Sequence, residues 1–135
     1  MKSSKFWITL SLLNLFLAAL MGLGLRTKFL FPIPFIDYKH LLSAHSHFAM
    51  GGWATLALMV MLLHQLSREL RERRIYAIIL WGIQITAMGM LVSFPFGGYT
   101  PIAIVFSTAF ILVTYLFTWQ YIRDIRKQTA ERAIA

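Results

Sequence analysis

The sequence predicts an all-α protein, a four-helix transmembrane bundle with both its N-terminus and its C-terminus in the cytoplasm, and three observations carry that prediction. Of 135 residues, 59% are hydrophobic and only 13% charged, a balance foreign to a soluble domain of this size. The apolar residues gather into four runs, at about 6–25, 41–66, 75–96 and 101–122. Each is long enough for a helix to cross a hydrocarbon core of about 30 Å at about 1.5 Å per residue. The thirteen Lys and Arg residues lie almost wholly between those runs. Ten fall on one side: Lys2, Lys5, Arg68, Arg71, Arg73, Arg74, Arg123, Arg126, Lys127 and Arg132. Arg26, Lys28 and Lys39 fall on the other. An excess of basic residues marks the cytoplasmic side, so the Arg68–Arg74 loop and both termini are expected inside.

In order, the first run follows Met1-Lys2-Ser3-Ser4-Lys5, which has the look of a secretory signal's basic start. Its apolar part is too long for a signal core and Leu23-Gly24-Leu25-Arg26 offers no small-residue cleavage site, so it is expected to be retained as a helix. Ser11, Asn14, Ala18 and Gly22 share one side of it, a stripe that lets another helix approach. The outer connection, 26–40, is rich in aromatic residues and carries Pro32 and Pro34, which discourage helix. It suits the headgroup region, with a lid over a site near His45 as the alternative. Asp37 is placed to cap the second helix.

The inner loop from Ser67 to Arg74 is charged throughout and reads as a solvated turn that touches anionic lipid. The third helix carries a second stripe, Gly82, Thr86, Gly89 and Ser93. Asn14 and Gln84 are read as interhelical hydrogen-bonding groups, with a polar path as the alternative. Pro95 to Pro101 forms a short hairpin in which Gly97-Gly98 turns the chain and Thr100-Pro101 starts the fourth helix, so helices three and four are antiparallel neighbours. Residues 123–135 continue that helix out of the bilayer as a polar tail. The whole chain, 1–135, reads as one membrane domain without internal repeats.

The composition also excludes function classes. With no cysteine there is no disulfide, thiolate metal site or nucleophilic thiol. The net charge of +8 follows membrane topology, so no nucleic-acid partner is expected; the lipid bilayer is. No Ser-His-carboxylate arrangement, phosphate-binding glycine loop or zinc-protease spacing occurs, and no charged residue lies deep in a run, against an ion pump.

What remains is His45-Ser46-His47-Phe48-Ala49-Met50-Gly51-Gly52-Trp53, at the outer end of the second run. An intramembrane histidine is costly and begins as a functional-site hypothesis. Residues two apart on a regular helix point about 200° away from each other, so His45 and His47 cannot face one ligand unless the helix starts irregularly. In that case both, joined by His40, would bind a metal. His64 lies about 25 Å further along and is a separate interfacial feature. A neutral imidazole suits haem iron, copper and zinc alike. Gly51 and Gly52 would let a flat macrocycle approach the backbone, which favours haem, and Trp53 would shield its edge. The bland alternative is a pair of hydrogen-bonded interfacial histidines.

The stretch Leu41-Leu42-Ser43-Ala44-His45 to Trp53 resembles the second transmembrane helix of haem–copper oxidase catalytic subunits (subunit I), in the nitric-oxide-reductase and C-type-oxidase-like branch. In that family the helix enters from the outer side and carries near its start a histidine that ligates a low-spin haem. The resemblance implies a b-type haem on His45 or His47 and a bacterial inner-membrane respiratory or electron-transfer system. It covers about a tenth of the chain, and family members have about twelve helices or more. Their remaining ligand histidines lie on later helices, whereas here no histidine follows position 75. The expectation is therefore not a complete oxidase or reductase. A homodimer or partner membrane subunit would complete the site, or a methionine, Met88 or Met90, would serve as sixth ligand. A non-catalytic membrane subunit or assembly factor binding copper or zinc is the alternative.

Overall fold

The computed structural model describes residues 4–31, 34–35 and 37–134. Lys2, counted above among the inner charges, and Pro32 lie outside them. Four helices are long and apolar enough to cross a membrane: α1 (Ser4–Leu30), α2 (Tyr38–Leu63), α3 (Arg74–Gly97) and α4 (Pro101–Ile134). Among the described residues there is no strand, and one helical turn, Arg68–Arg71, interrupts the loop between α2 and α3. α1 outlasts its apolar run and carries Arg26 and Lys28 within its last turns, whereas α2 stops at Leu63, short of the predicted 66. α4 has 34 residues, about 51 Å of helix, and so extends well past a 30 Å core.

α1 packs on α2, α2 on α3 and α3 on α4. The outer members therefore keep much of their apolar surface: only 22% of the α1 span and 11% of the α4 span is buried within the chain. Lipid tails are as apolar as leucine, so close backbone approach and polar bonds must hold such a bundle. Both predicted small-residue stripes are used in this way. Ser11, Asn14 and Ala18 are buried on the face of α1 turned to α2. On α3, Gly82 lies against Val113 and Gly89 against Phe106 of α4, where an added Cβ would stand 2.3 Å from the Phe106 ring.

The helix ends follow their sequence signals closely. The Asp37 carboxylate accepts from the amides of Lys39 at 2.8 Å and His40 at 3.1 Å, capping α2. At the hairpin, Pro95 does not break α3, which runs on through Gly97. Gly98 alone makes the turn, at φ +65°, a backbone state costly for a residue with a Cβ. Its N–H donates to Phe94 O at 2.8 Å. Thr100 Oγ1 accepts from Ala103 N at 3.4 Å at the start of α4.

α2 departs from the predicted regular helix in its middle. Tyr38–Phe48 is α-helical, Ala49–Thr55 is a π-helix, and Leu56–Leu63 is α-helical again. The opposite end of the bundle departs from the predicted solvated turn and polar tail. Asp124 of α4 is fully buried, and Arg73 Nη1 donates to both its oxygens at 2.9 Å. Tyr76 Oη and Gln120 Nε2 each donate to Oδ2 at 2.9 Å. One turn on, Gln128 accepts from Ser67 N and donates to Gln65 O at 3.0 Å. The extension of α4 is thus a clamp on the loop between α2 and α3.

Candidate cofactor site

The first segment of α2 is regular, so the two imidazoles near its start diverge as helical geometry requires. His45 turns toward α1: its Nδ1 lies 3.0 Å from Ala18 O. A carbonyl oxygen can only accept, so Nδ1 carries a proton, and in the neutral imidazole the lone pair is on Nε2. That is the tautomer in which a backbone carbonyl orients a metal-ligating histidine. The ring is seated against Gly22, where an added Cβ would stand 3.2 Å from Cε1.

His47 turns toward the α3–α4 hairpin. Its ring stacks on Phe94, centroids 4.6 Å apart and 5° from parallel, and its Nε2 lies 3.3 Å from Tyr99 Oη. His40 faces the same hairpin, with its ring against Gly98. His64 Nδ1 is bonded to Val60 O at 2.7 Å, one turn back along α2. The structure brings His40 and His47 to one hairpin and sends His45 elsewhere. Among the described residues, no group of three His, Cys, Asp or Glu side chains converges as a metal site.

Gly51, Gly52 and Trp53 fall inside the π-helix. A Cβ on Gly51 would stand 3.1 Å from Phe110 and 3.4 Å from the Met90 methyl; one on Gly52 would stand 2.7 Å from Phe48. Protein side chains occupy the space beside both glycines, and Met90, a predicted sixth ligand, is one of them. A π-turn closes i→i+5 bonds and turns some carbonyls away from their usual helical donors. Here α1 adds side-chain donors. Asn14 Nδ2 donates to Gly52 O at 2.5 Å and Ser11 Oγ to Trp53 O at 3.3 Å. Asn14 Nδ2 also donates to Gln84 Oε1 at 2.7 Å, and Gln84 Nε2 returns a bond to Asn14 Oδ1 at 3.2 Å. The two amides meet as interhelical partners and tie α1, α2 and α3 together.

Two features escaped the sequence reading. The π-helix had one signal, two adjacent glycines opposite a helix carrying Ser11 and Asn14. Asp124 had a weaker one, its place four residues after Gln120 and four before Gln128 in a segment otherwise dominated by basic residues. No family model, curated protein or solved structure matches the chain.

Proposed function

We propose that the chain is a haem-binding integral membrane protein of a respiratory or electron-transfer system, similar to the N-terminal part of a haem–copper oxidase catalytic subunit. His45 would hold the haem iron, through Nε2. The observation that carries this choice is the bond from His45 Nδ1 to Ala18 O, which leaves Nε2 unprotonated and the ring oriented by α1. His47 is the weaker candidate, because its ring is stacked on Phe94 and its Nε2 is paired with Tyr99. A bound b-type haem supplies one-electron transfer; the chain supplies placement and a low dielectric.

One imidazole fits half of a bis-histidine site. A second copy of the chain or a partner membrane subunit would provide the other half, since His40 and His47 face the hairpin. The charge asymmetry supports the Arg68–Arg74 end lying inside, and the resemblance implies a bacterial inner membrane. The test is an optical spectrum of purified wild type, His45→Ala and His47→Ala, expressed with ample haem. The expected result is a Soret band in wild type and His47→Ala and none in His45→Ala. A colourless wild type refutes the reading.

The packing of His40 and His47 favours a second reading, a non-catalytic four-helix subunit or assembly factor whose outer histidines are structural or bind copper or zinc. Copper or zinc retained without a Soret band, and lost in His47→Ala, decides for it.

A further inference from the structure

The side of α4 turned away from α3 passes from apolar to basic within a few turns. Tyr115 and Trp119, 68% and 60% exposed, stand one turn apart on it. Arg123 follows at the next turn, with its guanidinium carbon 5.0 Å from the centroid of the Trp119 ring, a cation–π distance. Arg126 and Lys127, both exposed, continue the same side. Phe117, Gln120, Asp124 and Gln128 are buried and mark the opposite one. At about 1.5 Å per residue Arg123 lies about 33 Å along α4 from Pro101, at the headgroup edge of a hydrocarbon core of about 30 Å.

The basic residues at this end of the bundle differ in what they meet. Arg73 is bonded to both oxygens of Asp124, and Arg68 to Glu72 at 3.0 Å. Arg123 has no such partner. Its Nε is out of solvent reach without a hydrogen bond, and Asp124 Oδ1 is 3.9 Å away, beyond hydrogen-bonding distance. The Asp124 carboxylate already accepts from Arg73, Tyr76 and Gln120. The indole ring and that buried charge thus seat Arg123 without engaging it. The side chain as a whole is 41% exposed, and exposed Arg126 and Lys127 lie beside it, so an anion reaches this face from the bilayer surface.

We infer that this side of α4 binds an anionic phospholipid, its phosphate held by Arg123, Arg126 and Lys127 and its acyl chains laid along Tyr115 and Trp119. Three cations fall within residues 123–127, and Glu131, the next acidic residue along α4, is a further turn from the bilayer. The counter-charge therefore comes from outside the chain. An arginine fork matches phosphate oxygens, and each cation near an anionic leaflet adds to the attraction. Indole and phenol rings at headgroup depth pack the upper part of the acyl chains. A free phosphate makes no use of that aromatic wall, so the phosphate is that of a lipid. The patch shares no residue with the surroundings of His45 and is argued independently of haem.

The experiment uses the full chain in phosphatidylcholine nanodiscs with rising fractions of phosphatidylglycerol or phosphatidylcholine brominated in the acyl chains, which quenches a tryptophan in contact with it. Trp119→Phe, subtracted from wild type, isolates the Trp119 emission. Ratios to the unbrominated lipid cancel any other quencher, a bound haem included. Phosphatidylglycerol is expected to half-quench Trp119 at a fraction about fivefold lower than phosphatidylcholine does, or lower still, about fivefold being the factor for one cation near an anionic lipid. Arg123→Gln should remove most of that preference and Arg126→Gln a smaller part. Arg68→Gln, whose guanidinium is already bonded to Glu72, should leave it unchanged. Circular dichroism checks that each variant folds; if Arg123→Gln does not, Arg126→Gln decides. Equal quenching by the two lipids, an unaltered preference in the deciding variant, or an equal loss in Arg68→Gln overturns the inference. So does relief of quenching by excess inorganic phosphate, which would mark a site for the free anion.

Discussion

Replacing Asn14 by leucine tests the central polar contact of the bundle. The side chain is 2% exposed and takes part in three hydrogen bonds, one to Gly52 O and two with Gln84. Side-chain hydrogen bonds in membrane proteins average about 0.6 kcal/mol each and reach about 1.7. Three of them give a loss of about 2 kcal/mol, with a ceiling of about 5. Leucine cannot replace the donor to the π-helix carbonyl, so Gly52 O loses its side-chain donor and the Gln84 amide loses its Asn14 partner in a dry interior. The amide pair accounts for two of the three bonds. A double-mutant cycle with Gln84→Leu should therefore return a coupling of about 1.2 kcal/mol. Reversible unfolding in bicelles, followed by helical circular dichroism, measures all four proteins. A loss below about 0.5 kcal/mol for Asn14→Leu, or a coupling of zero, refutes the reasoning: the three-helix contact would then not be held by these bonds.

Three further outcomes follow from other parts of the fold. Asp124→Ala strips Arg73, Tyr76 and Gln120 of a shared acceptor and should destabilise by about 3 kcal/mol or more, as broken buried ion pairs do. Arg73→Ala should cost at least as much, because it leaves the fully buried Asp124 carboxylate without its counter-charge, whereas the arginine left by Asp124→Ala is 40% exposed and can be hydrated; the same unfolding assay ranks the two. Gly89→Ala should cost about 1–3 kcal/mol through overpacking against Phe106, and more than Gly82→Ala, whose new methyl meets Val113 at 3.2 Å. At the start of α2, the His40 amide, above all, holds the Asp37 carboxyl below its ordinary value of 3.8. A depressed folded value means that the cap's contribution is complete above the unfolded pKa and is lost as pH falls through the folded one. The protection of the Lys39 and His40 amides, taken relative to their intrinsic exchange rates at each pH, should therefore fall below about pH 4 in wild type and show no such step in Asp37→Asn.

The candidate site was legible in part. Two histidines two residues apart on a helix must diverge, and the regular Tyr38–Phe48 segment leaves them so, with His45 toward α1 and His47 toward the hairpin. Which neighbour each imidazole meets was not legible, because Ala18 O and Tyr99 Oη are 27 and 52 residues distant along the chain. The glycine pair reads as room for a flat ligand; in the fold Gly51 lies against Phe110 and Gly52 against the Phe48 ring of its own helix. The charged segment between α2 and α3 reads as solvated because charge usually is. One carboxylate with an arginine, a tyrosine and a glutamine around it is the exception, since each removes part of the cost of burial.

By itself the sequence determined the class and the plan: hydropathy runs long enough to span a bilayer, basic residues in the gaps, small-residue stripes at helical spacing, and caps at Asp37 and Thr100. These are local or periodic properties, and the physics that reads them, transfer of apolar side chains to lipid and satisfaction of helix ends, acts within one helix. The tertiary structure decided what depends on two helices at once. It set the π-turn whose carbonyls are met by Ser11 and Asn14, the tautomer of His45 imposed by a carbonyl of α1, and the buried carboxylate that α3 and α4 enclose together. In lipid a polar group finds its partner across the interface or goes without, and no single stretch of sequence names that partner.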